Sequence, residues 1–480
     1  MGIIDRFKSW FKRGVNSIVG TPELFKALDI EVPISPKMRD AIELWAAMHE
    51  NRAPWLNEDV QSLNLAATIS SELSRLVTIE MQSSISGSPR ADFLNIAYQH
   101  VIDDSRVFTE FAAARGDLIL KPYIDGEGLA ISYVKAGDHF SLAFDSNNFS
   151  TSELFLDWRV IQENTYIRAE VQTFETVFEE GGPEEPTVGY GRMKITNKVI
   201  VKHKNGASYY PASLSDVPDW ANIAPSATIS NVKRPLWGQF KMPFANNIDP
   251  NSPLGVSVYS KAAGLIEQAD KQYSRLLWEM ESGERALYVD ETAFPPDRNG
   301  NRIYPHKKRL FIGLNIEKKT GEALFEDWSP SLREQNIING LNEILAKVED
   351  TSGLARGTFS DRSEGQAMTA TQIKILRQRT YATVTDTQKA LEMALDQLVY
   401  ALDVWATVGG LAPAGTYTVK FEWDDSVVTD RTEEYNRIRE AVAAGWLKPE
   451  YLVQWLGIKP MNEQELVAAR EFMPGLADVD

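Results

Sequence analysis

The sequence contains no cysteine and only five histidines. Without cysteine there is no disulfide, no thiolate-ligated zinc, no iron–sulfur cluster and no thiol nucleophile. The histidines, His49, His100, His139, His203 and His306, show no metal-ligand spacing and no HExxH pattern. A GxSxG nucleophile elbow and a GxxxxGK[ST] phosphate loop are also missing. The glycines between Gly353 and Gly365 follow no strand pattern, so they do not make a nucleotide-binding loop. Carboxylates abound, but none forms a recognisable acid–base pair. The chain therefore reads as a non-enzyme with no cofactor. It also lacks any run of 18 apolar residues, so no spanning helix is expected. The most apolar long stretch, residues 394–412, still contains Asp396 and Asp403. Positive charge is in deficit, with 50 Lys+Arg against 67 Asp+Glu and a net charge of −17. That balance excludes an avid, sequence-specific DNA binder, which needs a basic surface. It leaves room for a protein that lets DNA pass without gripping it.

What is present is globular. Hydrophobic residues make up 43% and charged residues 24%, which excludes a largely disordered chain. A length of 480 residues implies several packed regions rather than one core. At the start, Ile3, Ile4, Phe7, Trp10 and Phe11 share one helical face, with Arg6, Lys12 and Arg13 elsewhere. We read this as an amphipathic arm that docks on its own domain or on a neighbouring subunit. The other reading is a membrane-surface helix over residues 1–20. No secretory signal is legible, and Arg6 stands where the myristoylation pattern needs Ser or Thr.

Along the chain the period changes in an informative order. Helical patterns run from 38–45, 64–79 and 91–114, then β-branched and aromatic residues take over from 116 to 144, with a hairpin turn at Asp125-Gly126-Glu127-Gly128. Strands are expected at 154–161, 165–174 and 193–202, with an acidic loop at 175–186 and a loop-rich passage at 210–253. Ser252 and Pro253 then read as cap and first turn of a long helix reaching Gly283. Strand patterns at 286–289, 310–312 and 323–325 follow. They enclose the most basic patch of the chain, Arg298, Arg302, Lys307, Lys308 and Arg309. It is either a solvated loop or a loop facing a polyanion or acidic partner. A second Ser-Pro start at 329–330 opens a helix that ends at Ser352-Gly353. Two antiparallel helices carrying a small β element are the geometry this implies.

A glycine-punctuated polar loop comes next, and Thr369 with Gln372 forms a capping box. The following helix reaches Val408, and Leu391, Leu395, Leu398, Leu402 and Trp405 form a heptad-like seam on it. Charge is lopsided here. Arg356, Arg362, Lys374, Arg377 and Arg379 stand against Asp361 and Glu364, whereas residues 381–403 are mostly acidic. The loop and helix start are either one polar face or a surface offered to phosphate. A strand at 416–423 and short helices at 431–444, 449–456 and 462–472 close the chain.

This order, an α+β body, an outgoing helix, a small β tip, a returning helix, a glycine loop, a long helix and short closing helices, resembles the portal proteins of tailed double-stranded DNA bacteriophages, the siphophage type. The stretches that carry the likeness are Asn246-Asn247 through Pro253-Leu254-Gly255-Val256-Ser257-Val258-Tyr259, Asp350-Thr351-Ser352-Gly353-Leu354, and Met368-Thr369-Ala370-Thr371-Gln372-Ile373. Ala443-Ala444-Gly445-Trp446-Leu447-Lys448-Pro449-Glu450 and Pro460-Met461-Asn462-Glu463-Gln464-Glu465 add to it. No single motif is diagnostic, but the ordered set is.

The resemblance implies an α+β portal fold. It has an N-terminal arm (1–37), an α/β wing (38–252), a stem of two helices (253–282 and 329–350) and a small β-containing clip (283–328). A tunnel loop (351–366), a long kinked tunnel helix (367–410), a strand returning to the wing (411–426) and a helical crown (427–480) complete it. It further implies a homo-oligomeric ring, of twelve subunits by family habit, at one capsid vertex of a virion assembled in the host cytoplasm. Double-stranded genomic DNA would pass through it, driven in by a terminase and later ejected. Major capsid protein, scaffolding protein and a head-completion adaptor at the clip would be its partners. On this reading Arg356, Arg362, Lys374, Arg377 and Arg379 border the DNA channel. The basic clip loop would meet partner or DNA. A membrane-associated scaffold and an enzyme with an unrecognised site are the alternatives the sequence leaves open.

Overall fold

A computed structural model describes residues 22–33, 35–126, 128–145, 149–179, 188–204, 206, 208–283, 286–290, 295, 298, 311–314, 325–328, 331–361, 370–423 and 431–446. The expected amphipathic arm, the capping residue Thr369 and the closing helices beyond 446 lie outside these residues. The chain divides into a large unit (1–79 and 83–421) and a small one (80–82 and 422–480).

The large unit opens with three helices, α1 (Pro22–Leu28), α2 (Pro36–His49) and α3 (Leu65–Thr78). Ser35 starts α2 by accepting the Met38 N–H, with Pro36 at the first turn. Strand β1 (Met81–Ser86) follows, which the sequence pattern did not reveal. The expected helix from 91 to 114 is two helices, α4 (Pro89–Asp103) and α5 (Ser105–Arg115), broken at Asp104. Gly116, at φ +89°, ends α5 and turns the chain into β2 (Asp117–Asp125), which forms the expected antiparallel hairpin with β3 (Gly128–Lys135).

A larger antiparallel sheet is built from β4 (His139–Phe144), β5 (Ser150–Ile161), β6 (Asn164–Glu179), β7 (Val188–Lys202) and β8 (Tyr209–Ala212), with β9 (Ser226–Val232) also on β7. Both faces of this sheet are covered. Leu154, Leu156, Ile167 and Ile200 pack with Leu24 and Leu28 of α1, whereas Phe155, Met193 and Ile195 pack with Ile119, Leu236 and Trp237. That two-sided burial is why Leu154, Phe155 and Leu156 of β5 are apolar in succession rather than alternating. Two expectations are corrected here. The acidic stretch from 175 is strand as far as Glu179, paired to β7. The passage from 210 to 253 is not only loop, since it supplies part of β8, β9 and β10 (Gly238–Lys241).

The long helix expected from Pro253 begins ten residues later, as α6 (Ala263–Ser282), behind one 3-10 turn. Residues 254–259 keep helical spacing but spend their backbone elsewhere. The Val258 N–H and the Ser257 hydroxyl donate to the Ala113 carbonyl, and the Tyr259 hydroxyl donates to the Trp45 carbonyl. A Cβ on Gly255 would lie 1.9 Å from the Gly116 carbonyl oxygen. The segment thus satisfies the end of α5, and tertiary hydrogen bonding overrides local periodicity.

Helix α6 is tied to the body by Asp270, which accepts from Trp55 Nε1 and the Leu63 N–H, both at 2.8 Å. It runs antiparallel to α7 (Glu334–Thr351), with Glu279 holding Arg333 at 2.8 Å and Gln272 reaching the Ile337 carbonyl. Between them in sequence, β11 (Ala286–Asp290) pairs parallel with β12 (Phe311–Leu314) and antiparallel with β13 (Phe325–Trp328). Helix α8 then runs without a break from Ala370 to Val408. Its seam residues Leu391, Leu395, Leu398 and Leu402 are fully buried. A Cβ on Gly238 would lie 2.3 Å from the Ala394 carbonyl oxygen, so only glycine lets β10 approach α8 so closely. Strand β14 (Thr418–Trp423) pairs with β1, and Ser83 donates to the Lys420 carbonyl at 2.8 Å. In the small unit, α9 (Arg431–Ala443) ends before Gly445 at φ +74°.

Candidate functional site: the loop between the returning helix and the long helix

The residues singled out for phosphate sit where α7 hands over to α8. Gly353 leaves α7 at φ +75°, a conformation that favours glycine. A Cβ there would also lie 2.6 Å from the Thr383 hydroxyl. Residues 353–361 fold back between the end of α7 and the Thr380–Thr383 turn of α8. Thr380 accepts the Ala355 N–H at 2.7 Å, and Thr383 donates to the Gly353 carbonyl at 3.1 Å.

One carboxylate organises this segment. Glu349 is fully buried at the last turn of α7. It accepts the N–H groups of Gly357 and Ser360 at 3.0 and 2.8 Å, that of Phe359, and the Ser360 hydroxyl at 2.7 Å. A buried charge is tolerated only when it is hydrogen-bonded, and here the loop backbone does that work. Asn342, two turns back on α7, takes the Asp361 N–H and donates to the Asp361 carbonyl. Sequence reading missed both residues, because a Glu or an Asn within a helix looks like any other exposed polar residue. The burial of Glu349 is visible only in three dimensions.

The neighbouring acid collects the cations. Asp350 receives Arg356 at 2.6 Å and Arg379 at 3.1 Å. Arg356 comes six residues on, and Arg379 lies on α8. Hydrogen bonding to Arg356 holds the Asp350 carboxyl below its ordinary range, with the charges of Arg356 and Arg379 adding to the effect, and the Arg356 guanidinium is held up in turn. Both arginines remain more than half exposed, at 58% and 57%. The structure thus brings together two of the five predicted channel cations. Lys374 and Arg377 lie on the first turns of α8, with their side chains outside the described residues, and Arg362 lies outside them altogether. Of the second cluster, Arg298 is an exposed turn residue between β11 and β12. Arg302, Lys307, Lys308 and Arg309 lie outside the described residues.

Among the described residues, no group of three or more His, Asp or Glu side chains is set to hold a metal ion. None of the described helices is long and apolar enough to cross a membrane.

Comparison with known proteins bears on what this arrangement serves. A family model described as "Phage portal protein, SPP1 Gp6-like" matches residues 62–471, most of the chain. No curated protein matches the sequence. Among solved structures, a chain from the "Neck of native GTA particle computed with C12 symmetry" aligns with a TM-score of 0.39 at 11% identity, covering 91% of this chain and 98% of that one. A chain from the "Neck of empty GTA particle computed with C6 symmetry" gives 0.41 at 11% identity, covering 90% and 97%.

Proposed function

This chain belongs to the SPP1 Gp6-like phage portal protein family, and from that premise we propose how its parts divide the work. A portal protein is a structural component of the virion, the head-to-tail connector at the portal vertex, and not an enzyme. We infer that the protein closes head-to-tail into a ring of twelve, with one face of each copy on a different face of the next. The body (38–252) is its wing, with residues 411–426 returning to it. The segments 253–282 and 329–350, to which α6 and α7 belong, are its stem, and residues 283–328 its clip. The tunnel loop and helix are 351–366 and 367–410, and the crown is 427–480.

The observation that carries this reading is the anchored loop. An antiparallel helix pair leads into a segment whose backbone is pinned by Glu349 and whose exposed arginines stand beside it. A conduit needs that arrangement, a firm base and a charged rim. The overall charge of −17 per chain fits it too. Each extra phosphate contact tightens DNA binding steeply, so mostly repulsive walls with few cations keep DNA moving. Terminase, major capsid and scaffolding proteins, and an adaptor at the basic clip loop, are the partners we propose. The experiment is genetic. Virions assembled without this chain should yield heads that contain no DNA and carry no tails. DNA-filled, tailed particles made in its absence would refute the reading.

A further inference from the structure

Asp350 and Glu349 are adjacent, yet they divide the loop between them. Glu349 takes the backbone of residues 357–360. Among the described residues Asp350 takes no N–H of the loop, and guanidinium groups are its partners. The loop's path is therefore held without Asp350, by Glu349, Asn342 and Thr380. Asp350 instead gathers two guanidiniums that reach it from separate parts of the chain, and a third contact runs from Arg379 to its carbonyl at 3.4 Å. Each guanidinium is a fork suited to phosphate as much as to carboxylate.

We infer that Asp350 is a built-in counter-anion that masks Arg356 and Arg379 from the phosphates of passing DNA. This rests on the reading that the loop borders the channel. Two exposed arginines per copy would otherwise give a ring a continuous belt of phosphate contacts. With one carboxylate between them, the net charge of the trio falls to that of a single cation. Exposed ion pairs of this kind exchange readily, so the mask yields to a phosphate and re-forms behind it. The belt then guides the backbone without accumulating affinity.

The test measures binding of a short mixed-sequence DNA duplex to the assembled full-length protein, by fluorescence anisotropy across a salt series. Asp350→Asn should tighten binding, because it releases about one further phosphate contact per engaged copy. The salt slope should steepen by roughly 0.9, so the gain shrinks by about 3.5-fold between about 50 and about 200 mM salt. Adding Arg356→Gln and Arg379→Gln to Asp350→Asn should abolish the gain. Asp350→Ala should tighten binding in the same way, so the prediction stands even if one replacement perturbs the fold. The two arginine changes made alone turn the trio from net positive to net negative and should loosen binding. If they loosen binding while neither Asp350 variant tightens it, the arginines already hold phosphate in full, and the masking is wrong while the channel reading survives. If no variant moves binding, Arg356 and Arg379 do not face DNA, and the masking and the channel role of these residues fall together.

Discussion

Replacing Glu349 with glutamine tests whether one buried carboxylate sets the path of the loop. The change is nearly isosteric, so packing is preserved. Its Oε1 accepts from Phe359 and Ser360, and Oε2 accepts from Gly357 N–H and the Ser360 hydroxyl. An amide keeps one acceptor and turns an NH2 donor toward groups that also donate. At least two charge-assisted bonds are lost, at about 1–2 kcal/mol each once partial relaxation is allowed, or about 2–4 kcal/mol in total. Native-state hydrogen exchange reads this directly. The amides of Gly357, Phe359 and Ser360 should exchange about 30- to 700-fold faster, whereas amides on the buried seam of α8 keep their protection. Unchanged protection at the three loop amides would refute the reasoning. Equal acceleration along α8 would show that Glu349 supports the whole unit rather than the loop.

Three further outcomes follow from the packing. Gly238→Ala should destabilise the protein by about 1–3 kcal/mol, read from the urea midpoint, because a new Cβ meets the Ala394 carbonyl oxygen. Arg90 is 1% exposed and donates to Asp403 Oδ1 and the Ala412 carbonyl, both at 2.8 Å, so Arg90→Met should cost about 3 kcal/mol at the end of α8. Glu43 is pushed up to about 7 by burial, which Arg39 partly offsets and Asp40 reinforces. A carboxyl raised in the folded state costs stability once it ionises, so the penalty is absent below its unfolded value near 4.5 and complete above about pH 7. Glu43→Gln should therefore raise the urea midpoint at pH 8 and leave it unchanged at pH 4. A gain of equal size at both would contradict the assignment.

Much of the architecture was legible because its elements bury one clear face. The seam from Leu391 to Leu402 obeys its period and the hairpin around Gly126 is marked by its turn residues, and the structure has both as read. Errors arose where long-range hydrogen bonding competes with local pattern. Residues 254–259 have helical spacing, yet their donors go to Ala113 and Trp45. Strand β1 was hidden because its partner among the described residues is β14, more than three hundred residues away. The candidate site was half legible. Excess basic charge marked Arg356 and Arg379, but nothing local distinguishes Glu349 and Asp350 from the other acids of an acidic chain. Their roles come from a fold-back that brings residues 349–361 and 379–383 together.

The most direct test of a ring-forming portal is the native mass of the purified full-length protein, with top-view electron micrographs and capsid protein added where closure needs it. The account predicts a closed ring near twelve times 53.9 kDa with a central hole. A stable monomer or dimer, in the presence of capsid protein as well, would contradict it.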